Sequence, residues 1–99
     1  MRFFATIHVR TKPEVRDPQG EAALGALRSL GLDVSNVRTG KEIVVTFEAS
    51  DMEGAGEAVR KMGSELLANP VIEEFRFELS DSAVARDDAF TSTAGVRRK

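Results

Sequence analysis

The hydrophobic residues of this chain keep switching period, from every second position to every third or fourth and back, and few folds accommodate that order. From Arg2 to Thr11 they alternate: Phe3, Ala5, Ile7 and Val9 share one face, and Phe4, Thr6, His8 and Arg10 share the other. That is a strand with one buried face. Lys12-Pro13-Glu14-Val15-Arg16 is a connection, because Pro13 has no amide to give a ladder. Asp17-Pro18 then opens a helix. Asp17 can accept from free amides of the first turn, and Pro18 suits a first helical position, where a missing N–H costs nothing. Ala23, Leu24, Leu27 and Leu30 form an apolar stripe, and Gly31 is expected to be a left-handed stop.

Val34–Thr39 and Glu42–Ala49 are two further strand candidates, and in the second Ile43, Val45 and Phe47 return to period two. The short Gly40-Lys41 link between them predicts an antiparallel hairpin. Ser50 with Glu53 three residues on reads as a capping box for a second helix, whose stripe is Met52, Ala55, Val59, Met62 and Leu66. Gly54, Gly56 and Gly63 each weaken that helix by about 1 kcal/mol relative to Ala, so tertiary packing has to compensate. Asn69-Pro70 ends it. Val71–Leu79 is expected to be the last strand, with Val71, Phe75, Phe77 and Leu79 on one face.

The order is thus β-α-β-β-α-β. It implies an α+β domain over residues 1–79, an antiparallel sheet with two helices on one face in the ferredoxin-like plan. Residues 80–99 read as a polar tail, expected to be mobile. On the other sheet face Phe4, Val44 and Ile72 lie among Thr6, His8, Arg10, Thr46 and Glu48. A mixed surface of this kind suits a protein interface, so a homodimer or larger oligomer, or a different partner, is expected.

Composition narrows the function classes. The chain has 99 residues, enough for one core and too few for two. It contains no cysteine and one histidine, which excludes disulfides, thiolate nucleophiles and Cys-ligated zinc. A formal net charge of −2 gives no electrostatic footprint for nucleic acid. No secretory leader pattern opens the chain and no apolar run approaches a membrane span, so a cytoplasmic protein is expected.

Candidate chemistry is thin. His8, alone on a strand, cannot build an ordinary zinc site, and a general-base role would need a partner in space. Arg38-Thr39-Gly40-Lys41 resembles a phosphate clamp, but a phosphate loop leads into a helix, and this one leads into a strand. Glu73 and Glu74 point to opposite faces and cannot share a substrate. Gly20, near the start of a helix, is less easily explained, unless another backbone approaches it closely. No catalytic, cofactor-binding or metal-binding residue emerges.

Three segments together carry a resemblance that none carries alone: Asp17-Pro18-Gln19-Gly20, Val37-Arg38-Thr39-Gly40-Lys41, and Leu66-Leu67-Ala68-Asn69-Pro70-Val71-Ile72-Glu73. With these spacings the chain resembles the PurS family, the small subunit of phosphoribosylformylglycinamidine (FGAM) synthase, from Arg2 to about Leu79. It departs from the family at Gly63, where Cys is common, and carries Phe75 where the aromatic is often Tyr. The resemblance implies a subunit without an active site, paired as a dimer or larger assembly, that bridges the synthetase PurL and the glutaminase PurQ. That complex converts formylglycinamide ribonucleotide, ATP and glutamine to the amidine, ADP, phosphate and glutamate in purine synthesis. ATP and Mg would then belong to PurL, and no cofactor to this chain. The contact residues it suggests are Asp17, Pro18, Gln19, Gly20, Arg38, Gly40, Lys41, Asn69 and Pro70. Two alternatives come from other classes: a small-molecule-sensing regulatory domain of the same fold, and a small enzyme using His8 as base.

Overall fold

β1 (Arg2–Thr11) can be hydrogen-bonded along both edges because nothing in it interrupts a ladder, and it becomes the central strand of the sheet. In a computed structural model, which describes residues 1–81, it pairs antiparallel with β2 (Gly40–Glu48) on one side and β3 (Glu73–Ser80) on the other. The register sets Ile7 opposite both Ile43 and Phe77, and Val9 opposite both Lys41 and Phe75. Side chains of directly opposed residues share a face, so the alternation of β1 is imposed on the whole sheet.

The inner face is the core. Phe3, Ala5, Ile7 and Val9 are buried there with Val59 and Ala68, and Ile43, Val45, Phe47, Phe75, Phe77 and Leu79 pack around them. Burying side chains of this size stabilises by about 1.5–3 kcal/mol each. The cover is α2 (Met52–Met62), continued by a single π turn over Gly63–Leu67. Of the expected stripe Ala55 and Val59 are buried, together with Gly56, while Met52 and Leu66 are exposed, and the Arg60 guanidinium sits 5.7 Å from the centre of the Phe77 ring. The three glycines that weaken this helix are not all idle: a Cβ at Gly63 would strike the ring of Phe75. Gly63 and Phe75 are therefore in close contact.

α1 (Pro18–Ser29) begins as its sequence requires. Asp17 caps it by accepting from Gly20 N, Pro18 stands at its start, and Gly31 ends it at φ +87°. Its packing is sparse, however. Gly20 is its one buried residue, and beyond its end Leu30 and Leu32 are 75% and 51% exposed.

Three expectations are corrected. Val34–Thr39 is not a strand, and Gly40-Lys41 is not a hairpin tip but the first two residues of β2. The polar groups of Arg38 and Thr39 are drawn to the turn before α1, leaving no ladder for the segment to join. The sheet is thus the ferredoxin-like plan with three strands, open at the outer edge of β2. Next, Asp51 and not Ser50 caps α2, accepting from Gly54 N at 2.7 Å. An aspartate one residue before the first helical position fills the capping role without the Ser50–Glu53 box. Finally, β3 begins at Glu73, because Asn69 folds Pro70, Val71 and Ile72 into a turn that leaves Val71 76% exposed. Of the tail, residues 82–99 lie outside the described part of the chain.

Candidate functional site

The first residue group to consider is Asp17, which is 6% exposed despite its charge. A buried carboxylate needs donors on both oxygens. Here Oδ1 accepts from Gly20 N at 3.1 Å and Oδ2 from Thr39 N at 2.7 Å, while Thr39 Oγ1 donates within 2.9–3.0 Å of both. The amide of Thr39, then that of Gly20, holds its carboxyl below the usual carboxylate range, against the opposing effect of burial, with the Thr39 hydroxyl and the nearby Arg38 charge adding to the shift. Asp17 is at once a helix cap and a clamp on a segment twenty residues downstream.

Gly20 completes that clamp. A Cβ built on it would stand 2.5 Å from Val37 O and 2.6 Å from Asp17 Oδ2, so only glycine lets the backbone of Val37 approach α1 this closely. The close backbone approach expected at Gly20 is therefore present.

Arg38 fastens the same segment to the connection after β1. Its Nη2 donates to three backbone carbonyls, those of Thr11 at 3.2 Å, Lys12 at 2.9 Å and Val15 at 3.0 Å. Gly40 then enters β2 opposite Arg10, and a Cβ there would meet Val9 O at 2.6 Å.

The Asn69-Pro70 turn joins from the other side. Asn69 Oδ1 accepts from Val71 N at 3.0 Å, Asn69 O accepts from Ile72 N and Glu73 N, and Glu73 Oε1 accepts from Asn69 N at 2.7 Å. Lys12 N donates to Ile72 O at 2.9 Å. Lys12 therefore links two of the segments, its amide holding the Asn69-Pro70 turn and its carbonyl holding Arg38, and the third joins through Asp17 and Thr39.

The structure thus gathers residues far apart in the chain at one end of the sheet, where β1 finishes and β2 and β3 begin. On the helix-bearing face a shallow pocket of about 440 Å³ is lined by Asp17, Pro18, Gln19, Thr39, Lys41 and Glu73, among others. The other face carries a larger groove of about 590 Å³, lined by His8, Arg10, Glu42, Glu74 and Arg76, with Arg38 and Lys41 at its border; Lys41 is paired with Val9, so its side chain belongs to the helix-bearing face. Pro18, Gln19, Gly40, Lys41, Asn69 and Pro70 are exposed and can meet a partner. Asp17 and Gly20 are buried, so of the expected contact residues these two hold the platform and do not form its surface. Lys12 and Thr39 were not anticipated. Lys12 acts through its backbone, which leaves no mark in its side-chain type.

His8 lies on the outer face, its Nε2 3.3 Å from Glu78 Oε1. Glu73 and Glu74 serve opposite faces as alternation requires: Glu73 caps the turn, and Glu74 accepts from Arg10 Nε at 2.9 Å. Among the described residues no group of three His, Asp or Glu is disposed to hold a metal ion. The arrangement is one of turns locked by hydrogen bonds around an exposed rim, which suits recognition of another protein.

Comparison with known proteins points the same way. The profile of the family PurS, described as phosphoribosylformylglycinamidine (FGAM) synthase, matches residues 4–81. The FGAM synthase subunit PurS of Synechocystis is 43% identical over 79% of this chain and 79% of its own length. That of Thermotoga maritima is 45% identical over 74% of this chain and 90% of its own. In three dimensions the chain superposes on PurS of Thermus thermophilus with a TM-score of 0.75 and 40% identity, covering 83% of this chain and 99% of the other. It superposes equally well, at TM-score 0.75 and 41% identity, on a chain of the PurLQS structure from Thermotoga maritima, covering 81% of this chain and 99% of that one.

Proposed function

The chain belongs to the PurS family, and from that membership we propose that it is the non-catalytic assembly subunit of an FGAM synthase complex in purine biosynthesis. It bridges a PurL synthetase and a PurQ glutaminase, the two subunits that accompany PurS in the Thermotoga maritima assembly. The observation that carries this reading is the convergence of three separated segments on one hydrogen-bonded platform, tied through Lys12, Asp17 and Arg38. Turns fixed this firmly present a preformed surface, and little ordering entropy is lost when a partner docks.

The contact residues of the platform are Pro18, Gln19, Arg38, Gly40, Lys41, Asn69 and Pro70, with Asp17 and Gly20 beneath them. Two copies of the chain associate, covering the exposed end of α1 and the open edge of β2. ATP and magnesium are held by PurL, glutamine is hydrolysed by PurQ, and this chain keeps the two sites in register so that ammonia passes between them without loss, a proximity effect. The complex works in the cytoplasm; no helix among the described residues is long and apolar enough to cross a membrane.

The test is an assay of synthesis with the cognate synthetase and glutaminase. Omitting this chain should abolish most glutamine-dependent product formation while sparing synthesis driven by added ammonia. Equal glutamine-dependent rates with and without the chain would end the reading.

A further inference from the structure

We propose that the outer face of the sheet is the docking site of this chain's own C-terminal segment, residues 82–99, which lie beyond the described part of the chain and outside the family match. The contact is made within one chain and stands apart from the bridging role above.

α2 covers the inner face only, yet the centre of the outer face is built like an interior. Thr6 is 2% exposed there, with Val44 and Glu78 directly opposite it, and its Oγ1 has no hydrogen-bond partner. Buried polar groups are nearly always paired, so an orphaned hydroxyl marks a place where a neighbour is missing. Beside it Phe4 is half-buried and Val44 is 52% exposed, two apolar side chains without a layer above them.

A second copy is the poorer occupant. It would have to bury the ion pairs of this face, Arg2–Glu48, Arg10–Glu74 and His8–Glu78, around Phe4 and Val44 alone. Stable interfaces between copies have apolar centres depleted in charge. A tethered segment needs far less, because attachment supplies an effective concentration of about a millimolar, at which a weak contact is occupied.

Position, reach and charge favour the segment. β3 ends at Ser80, opposite Phe4, so the segment leaves from the border of this face. Glu42 lies opposite His8, one strand across and four residues further along β1. Between Asp81 and Arg97 the chain can span about 50 Å, ample for that distance. Residues 1–81 hold ten Lys or Arg against fourteen Asp or Glu, and residues 82–99 hold four against two. The net charges are therefore −4 and +2, with the positive charge gathered in Arg97-Arg98-Lys99. On the face itself Glu48, Glu74 and Glu78 each meet a cation, whereas Glu42 makes no ion pair with the described residues. Glu42 receives the basic end of the segment, and Phe90 covers Phe4 and Val44. While docked, the segment closes this face to other proteins.

The chain has no cysteine, so a nitroxide attached through Ser92→Cys is its sole label. In the full chain the nitroxide should broaden the methyl resonances of Thr6 and Val44 severalfold more than those of Val59 on the inner face. Arg97→Glu/Arg98→Glu/Lys99→Glu should remove most of that difference, and so should NaCl at about 0.5 M. Glu42→Lys alone should have the same effect, and combining it with the triple variant should restore the broadening. Broadening equal on the two faces, or unchanged by these charge reversals, would overturn the proposal. Broadening seen on isotope-labelled chains only when spin-labelled copies are mixed with them would overturn it too, since the contact would then lie between chains.

Discussion

Asp17 does two jobs with one carboxylate, and their coupling makes it the residue on which the platform is most sensitive. Its oxygens stabilise the start of α1 through Gly20 N and anchor Thr39 before β2 through both amide and hydroxyl. Because these donors favour the ionised form, its folded pKa lies below the ordinary value of 3.8. A depressed pKa means the folded state prefers the unprotonated carboxylate, so its contribution is full above the unfolded value and is lost as pH falls through the folded one. Asp17→Asn should therefore lower the melting temperature by several degrees at neutral pH, and the gap from wild type should close below about pH 4 as the wild-type carboxyl protonates. Thermal melts across that range check both statements. Gly20→Ala makes a complementary test. Its added methyl has to displace Val37 O or the Asp17 carboxylate, at a cost of about 1–3 kcal/mol, which denaturant unfolding would measure. The cap at Asp17 and the close approach at Gly20 are both legible in the sequence, since each breaks or obeys a local rule. Their pairing with Thr39 and Val37 is not, because it depends on how the chain returns twenty residues later.

The elements repeat this division between local and long-range information. Alternation places β1 and its inward face without error, and helical spacing places both helices. The segment Val34–Thr39 is expected from sequence to be a strand, yet its two valines stand three apart and it forms none; Arg38 and Thr39 satisfy their polar groups on the β1–α1 connection. Periodicity reports which residues could share a face; it does not report whether a ladder edge is there to receive them. The short α1 has a similar gap. A helix of 12 residues is marginal without packing, and this one buries only Gly20 within the chain. In the association proposed above, a second copy covers its stripe. Amide exchange should show protection of Ala22–Ser29 rising with protein concentration while β1 stays unchanged; protection of α1 that is equally high at the lowest concentrations would contradict that cover. Where the π turn that continues α2 meets β3, the informative pair is Gly63 with Phe75. Gly63→Ala should destabilise by about 1–3 kcal/mol despite Ala's better helix propensity, since the ring must move. Phe75→Leu should relieve part of that cost, and a double-mutant cycle reads the coupling.

At the scale of the molecule, the three-stranded sheet leaves one end where every strand meets a turn, and the residues of that end come from three parts of the chain. The segments that carry the family resemblance could be picked out by type and spacing. Their convergence could not, since the link between two of them runs through the backbone of Lys12, whose side chain takes no part. The same is true of the outer groove, where Arg76 comes to stand across His8 from Glu42 only once β1 is placed between their strands. In the proposed role, the consequence of such a surface lies in what it brings together. The most direct test is therefore sedimentation of the cognate synthetase and glutaminase, mixed with and without this chain in the presence of glutamine and ADP. The bridging account expects a single complex containing all three components when the chain is present, and separate synthetase and glutaminase when it is left out. Stable association of those two without the chain, unchanged on its addition, would contradict it.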